Sequence, residues 1–106
     1  MAKLMDNLKT ENLLETILGI EDLKEAKAFF RDLLTPSELE EFGNRWQAAQ
    51  MLNEKVSYNR IVRETGLSTT TIARISKWLK RGRGGYKLML KRMNHHNNSF
   101  SAKELA

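Results

Sequence analysis

The run "STTT" at residues 68–71 stands where an apolar pattern at helical spacing begins, and Arg74, Lys77 and Lys80 follow it. Threonine is a mediocre helix former, so three in one turn give up a few tenths of a kcal/mol each, ~0.5 relative to alanine. What they offer in return is recognition chemistry. Short side chains let a helix approach the floor of a DNA groove, their hydroxyls meet base edges or bridging waters, and their methyls touch thymine. A threonine run that merely caps its helix is the simpler alternative. Elsewhere the chain is poor in reactive constellations. No glycine-rich phosphate loop follows a strand pattern and no nucleophile sits beside a base. His95 and His96 are adjacent, which on a helix turns them about 100° apart, and no acid or cysteine follows at ligand spacing. The expectation is a non-enzyme with no catalytic residue, metal or cofactor.

Charge strengthens the nucleic-acid reading. The net charge of +5 conceals a strong segregation: residues 1–54 hold 6 Lys/Arg against 11 Asp/Glu, whereas residues 55–92 hold 11 against 1. Glu64 is the single acid of that basic segment. Such a surface attracts a polyanion, and each phosphate it neutralises releases counterions, so binding should fall steeply with salt. The 106 residues contain no cysteine, which excludes disulfides and thiolate metal sites and fits a reducing compartment. No apolar run approaches the roughly 18 residues a membrane span needs, and the charged N-terminus is unlike a secretory leader. A cytoplasmic location with no membrane partner is expected.

The elements that would carry these side chains are all helical. Leucines and isoleucines from Leu4 to Leu18 mark a first helix ending near Gly19, and a second runs from about Glu21 to Leu34. "TPSE" begins the third: Thr35 as N-cap, Pro36 at the first helical position and Glu38 reaching back to close a capping box. That helix extends to about Asn53 with Leu39, Phe42, Trp46, Ala49 and Leu52 as its core stripe. Ser57 caps a short fourth helix, Tyr58 to Thr65, closed by Gly66; Ser68 caps a fifth, which runs to about Lys80 with Ile72, Ile75 and Leu79 inward. A sixth covers roughly Tyr86 to Met93, leaving residues 94–106 as a polar, aperiodic and disordered tail beyond a single domain, 1–93.

The fourth and fifth helices with their "TGLS" connection have the length and apolar positions of a helix-turn-helix at about residues 57–80. A buried αα-hairpin would share the turn glycine and the stripes, but not the cations. In a helix-turn-helix the second helix enters the major groove while the first crosses the phosphate backbone. Ser57, Asn59, Arg60, Ser68, Thr69, Thr70, Thr71, Arg74, Lys77 and Lys80 are accordingly the candidate DNA-binding residues. Lys55, Arg63, Arg81 and Arg83 add surrounding positive charge. "RGRGG" at 81–85 resembles a basic linker with a weaker signal for RNA.

The motifs "LLTPSE", "GNR", "VSYNRIVRETG", "STTTIAR" and "YKLMLKRMN" occur in the order and at nearly the spacing of the Trp repressor family. Over Leu33 to Lys80 the chain resembles that family, and from about Glu15 to Asn94 its YerC/YecD-type branch. The resemblance implies a six-helix, Trp-repressor-like bundle, an intertwined homodimer, and two recognition helices reading successive major grooves of a roughly palindromic site. In tryptophan-responsive relatives a corepressor contacts a threonine and two arginines that match Thr35, Arg45 and Arg74. Those relatives carry glycine and serine where this chain has Ile75 and Trp78. Isoleucine and tryptophan overfill a space an indole would need, so L-tryptophan is not the expected effector. Trp78 would instead fill part of the pocket and hold the fifth helix in a DNA-competent pose, or serve as core or interface packing. The function expected is a sequence-specific DNA-binding regulator, a repressor that occupies promoters. The alternatives are a helix-turn-helix module that docks a protein and a nucleic-acid binder without sequence preference.

Overall fold

Small polar side chains punctuate the chain and set where its helices start. Asn7, Asp22, Thr35, Ser57 and Ser68 each precede a helix and each accepts a backbone N–H from its first turn, satisfying donors that have no partner inside the helix. The computed structural model describes Met5 and residues 7–96. Among these, six helices follow in order: α1 Leu8–Ile17, α2 Leu23–Leu33, α3 Pro36–Asn53, α4 Tyr58–Thr65, α5 Thr69–Arg81 and α6 Gly85–His96. No strand occurs among the described residues. The chain is therefore all-α, as its periodicity requires, and none of the helices is long and apolar enough to cross a membrane among those residues.

The capping box expected at "TPSE" forms in full. The Glu38 backbone N–H donates to Thr35 Oγ1 at 3.1 Å and the Thr35 N–H donates to Glu38 Oε1 at 2.9 Å. These bonds, the one from the Thr35 backbone foremost, hold the Glu38 carboxyl below its ordinary value of 4.5. Glu25 makes a similar return contact, accepting from the Glu21 N–H at 2.9 Å.

Two compact units divide the chain, Met1–Leu39 and Glu40–Ala106. In the N-terminal unit no residue of α1 or α2 is buried. Leu8 and Leu18 are more than four-fifths exposed, and Leu14, Leu23 and Leu33 also face solvent. The C-terminal unit holds the core: Ala48 and Ala49 of α3, Ile61 of α4, and Ile72 and Ile75 of α5 are wholly enclosed. Trp46, Leu52, Val62, Leu67 and Tyr86 pack against them, and Leu90 of α6 is buried. Phe42, expected in the α3 stripe, is instead half exposed, because the enclosed stretch of α3 is confined to its later turns around Ala48 and Ala49.

Helix α3 ends at Asn53, where the sequence reading placed its end, whereas the end of α6 differs from that reading. The turn after α3 places Lys55 at φ +62°, with the Val56 N–H donating to Met51 O at 3.0 Å; this is a helix-terminating turn made without the usual glycine. At the other end α6 reaches His96, three residues into the segment assigned to the tail. The remainder of that assignment, 97–106, lies outside the described residues.

Candidate nucleic-acid interface

The α4–α5 pair is built around a tightly specified turn. Ser57 Oγ accepts the Arg60 N–H at 3.3 Å and starts α4, whose inner face delivers Ile61 to the core. Thr65 ends it from inside: the hydroxyl is buried, donates to Ile61 O at 2.7 Å and accepts the Leu67 N–H at 3.2 Å. Gly66 then takes φ +73° while its N–H donates to Val62 O at 2.8 Å, a backbone conformation an L side chain rarely adopts. Leu67 is half-buried against the core and Ser68 opens α5. The sequence pattern marked Gly66 and both serines, but not Thr65. Its signal was its position, since a threonine in the last turn can bond back to the carbonyl four residues earlier.

The tip of α5 divides its threonines. Thr69 and Thr70 are exposed, whereas Thr71 is half-buried. Ser68 Oγ donates to Thr71 Oγ1 at 3.0 Å and accepts the Thr71 N–H at 3.1 Å. Thr71 and Ser68 are thus partly committed to each other and to the cap, and the capping alternative holds for that pair. Thr69 and Thr70 are the hydroxyls presented outward. Ile72 and Ile75 behind them are fully enclosed, so the outward face of the helix is fixed by the core.

Among the other candidates, Ser57, Asn59, Arg60, Arg74, Lys77 and Lys80 are all exposed on the C-terminal unit. Arg60 is not free: its Nε donates to Glu64 Oε2 at 2.6 Å, one turn away. The i, i+4 spacing of the pair was legible in the sequence. At the start of α5 no acid lies in the first turn. The helix dipole and its leading N–H groups therefore add to the field of the cations, and an anion is favoured there.

The residues matched to a corepressor pocket are placed differently. Thr35 lies in the N-terminal unit with its hydroxyl engaged in the α3 cap. In the other unit, Arg45 donates through Nη2 to Glu41 Oε2 at 2.6 Å, and its buried Nε has no partner. Arg74 is exposed. Ile75 is entirely enclosed in the core, the inward position its spacing on the fifth helix gives it. Trp78 is 43% exposed, so it is not core packing. The two clefts it lines are walled by Arg81, Gly82 and Arg83 on one side and by Trp46, Arg83, Gly85, Tyr86 and Met89 on the other. Neither Arg45 nor Arg74 borders them. Among the described residues no group of three or more His, Cys, Asp or Glu side chains could hold a metal ion.

Residues 8–94 match the family described as Trp repressor protein. The chain belongs to the Trp repressor family. Its match to the Bacillus subtilis (strain 168) protein YerC, described as uncharacterized, is 37% identical over 93 residues and covers 88% of this chain and 89% of the relative. The crystal structure of a TrpR-like protein from Eubacterium eligens ATCC 27750 superposes with a TM-score of 0.82 at 35% identity, covering 87% of this chain and 95% of that one. A second crystal structure, from Staphylococcus aureus, gives 0.78 at 34% identity over 85% and 93%. This Trp repressor family member thus falls in the YerC/YecD-type branch and has its all-α, six-helix fold. Family membership makes it a helix-turn-helix, DNA-binding transcription regulator rather than an enzyme.

Proposed function

We propose that the protein is a homodimeric repressor that reads a roughly palindromic DNA site with the first turn of α5. One observation carries the reading. Thr69 and Thr70 stand exposed at the start of a helix whose opposite face is sealed by Ile72 and Ile75, in the segment where cations outnumber acids 11 to 1. Thr69 and Thr70 meet base edges, Lys77 and Lys80 meet phosphates, and Ser57 and Asn59 approach the backbone from α4. Arg60 does so once it leaves Glu64. Repression follows from occupying a promoter, in the cytoplasm.

The dimer is supported by the N-terminal unit. Helices α1 and α2 bury none of their residues and expose leucines along their length, and a chain this small gains stability by covering such faces with a second copy. Two recognition helices would then address half-sites about one helical turn, ~34 Å, apart. Free L-tryptophan does not control the protein, since Ile75 occupies the core beside Arg74; micromolar binding in a calorimetric titration would overturn that statement.

The function is tested by selecting bound duplexes from a random pool, then titrating a selected duplex against competitor DNA at two salt concentrations. Selective binding is expected. Binding with a steep salt slope but no preference would make the protein a non-specific binder, and no binding would leave a protein-docking module. Thr70→Ala should change the preferred sequence, while Lys77→Ala should weaken all sites about equally.

A further inference from the structure

The first two turns of α5, residues 69–75, present one apolar side chain outward. Ile72 and Ile75 are sealed in the core and Thr71 is half-buried, so Thr69, Thr70, Ala73 and Arg74 are the side chains exposed there. Helical geometry puts Ala73 about 4.5 Å beyond Thr70 along the axis and about 60° round it, and about 6 Å short of Lys77. It therefore lies between a side chain that meets base edges and one that meets phosphates. Helix propensity alone would also place alanine here, but that role gives no discrimination between one duplex and another.

The size of Ala73 matters in a groove. A B-form major groove is about 12 Å wide and a helix with its side chains about 10–12 Å across, so the helix goes deep only where its facing side chains are short. The Ala73 side chain ends at Cβ. Arg74, the long residue next to it, is turned about 100° away, toward one wall of the groove rather than its floor.

A methyl brought to that floor neither donates nor accepts a hydrogen bond. Against a purine N7 or O6, or against an exocyclic amino group, it strips water and returns nothing. The major groove offers one apolar group, the 5-methyl of thymine, and contact with it removes two apolar surfaces from water together. Since Ala73 is exposed, its own chain does not already cover this methyl.

We propose that Ala73 is a specificity-determining residue, which selects a thymine in each half-site through contact between its methyl and the thymine 5-methyl. This selection, which rests on α5 reading the duplex, also gives the A·T pair a direction. With the pair reversed, adenine presents N7 and an amino group at the same place.

Deoxyuridine in place of thymidine deletes that 5-methyl and keeps the base pair. In a duplex selected from a random pool, thymines are replaced at symmetric positions, one position of the half-site at a time, and affinity is read by fluorescence anisotropy. One position should weaken binding about fourfold for each half-site, or about fifteenfold for the two together. Ala73→Gly should bind the thymine and deoxyuridine duplexes within about twofold of each other at that position. The readout is a ratio of two affinities on one protein, so any loss of helix stability in the glycine variant cancels. Thr70→Ser removes a neighbouring methyl and keeps the hydroxyl, and the ratio should persist in it. Selective binding in which no deoxyuridine position costs more than about twofold overturns the assignment to Ala73 while leaving α5 as the reading helix. So does a ratio that Ala73→Gly leaves intact, or one that Thr70→Ser abolishes. Absence of selective binding to any duplex removes both readings at once.

Discussion

Replacing Glu64 with glutamine should tighten binding to duplex DNA while hardly altering stability. Glu64 is the lone acid among residues 55–92, and its Oε2 holds Arg60 Nε at 2.6 Å with the two side chains 30% and 56% exposed. A solvent-exposed i, i+4 pair contributes only ~0.3–0.5 kcal/mol. Its loss lowers the melting temperature of a domain this size by roughly 2–3 °C. The electrostatic effect on DNA is larger. Glu64→Gln removes a charge that repels phosphate and leaves the Arg60 guanidinium able to neutralise one. One additional phosphate contact steepens the log–log salt slope by about 0.9, which at about 0.1 M monovalent salt corresponds to nearly eightfold tighter binding per protomer. Fluorescence anisotropy with a labelled duplex at several salt concentrations reads affinity and slope together. If Glu64→Gln leaves both unchanged, or weakens binding, the outward face of α4 does not lie against the phosphate backbone and the assignment of Arg60 and its neighbours is wrong.

Three further outcomes follow from the same structure. Ile75→Ala removes a wholly enclosed side chain from the core built by α3, α4 and α5 and should cost about 2–5 kcal/mol, read by urea denaturation; a loss below about 1 kcal/mol would show that the site is not core. Because the Thr35 bonds hold the Glu38 carboxyl below 4.5, the capping box stabilises the fold above that pH, and its contribution disappears as pH falls through the depressed value. Glu38→Gln should therefore flatten the pH dependence of unfolding in the acid range, and an unchanged profile would count against the box. Gly66→Ala forces a Cβ into φ +73° where no neighbouring atom is crowded, so the penalty should be the backbone term alone, about 1–2 kcal/mol, measured by thermal unfolding. A neutral result would mean the turn relaxes to another conformation.

Much of the interface was legible because its parts are local. Ser57, Ser68 and Gly66 act on backbone groups a few residues away, so their types and positions alone announce the turn and the two helix starts. Thr35 and Glu38 do the same for α3. Thr71 looks like Thr69 and Thr70 until Ser68, three residues back, is seen to hold its hydroxyl. Elsewhere the deciding neighbour is distant along the chain. Phe42 fits an apolar stripe perfectly well, yet the enclosed part of α3 is set by where Ile61, Ile72 and Ile75 gather.

The amino-acid order by itself determined the all-helical character, the helix starts, the glycine turn and the separation of acidic from basic halves, since these depend on interactions within a turn or two and on composition. Tertiary structure decided that Trp78, three residues after the inward Ile75, stands 43% exposed. It also decided that Trp46 meets Tyr86. Such outcomes depend on packing between helices far apart along the chain, and helical periodicity carries no record of which partner a face will find.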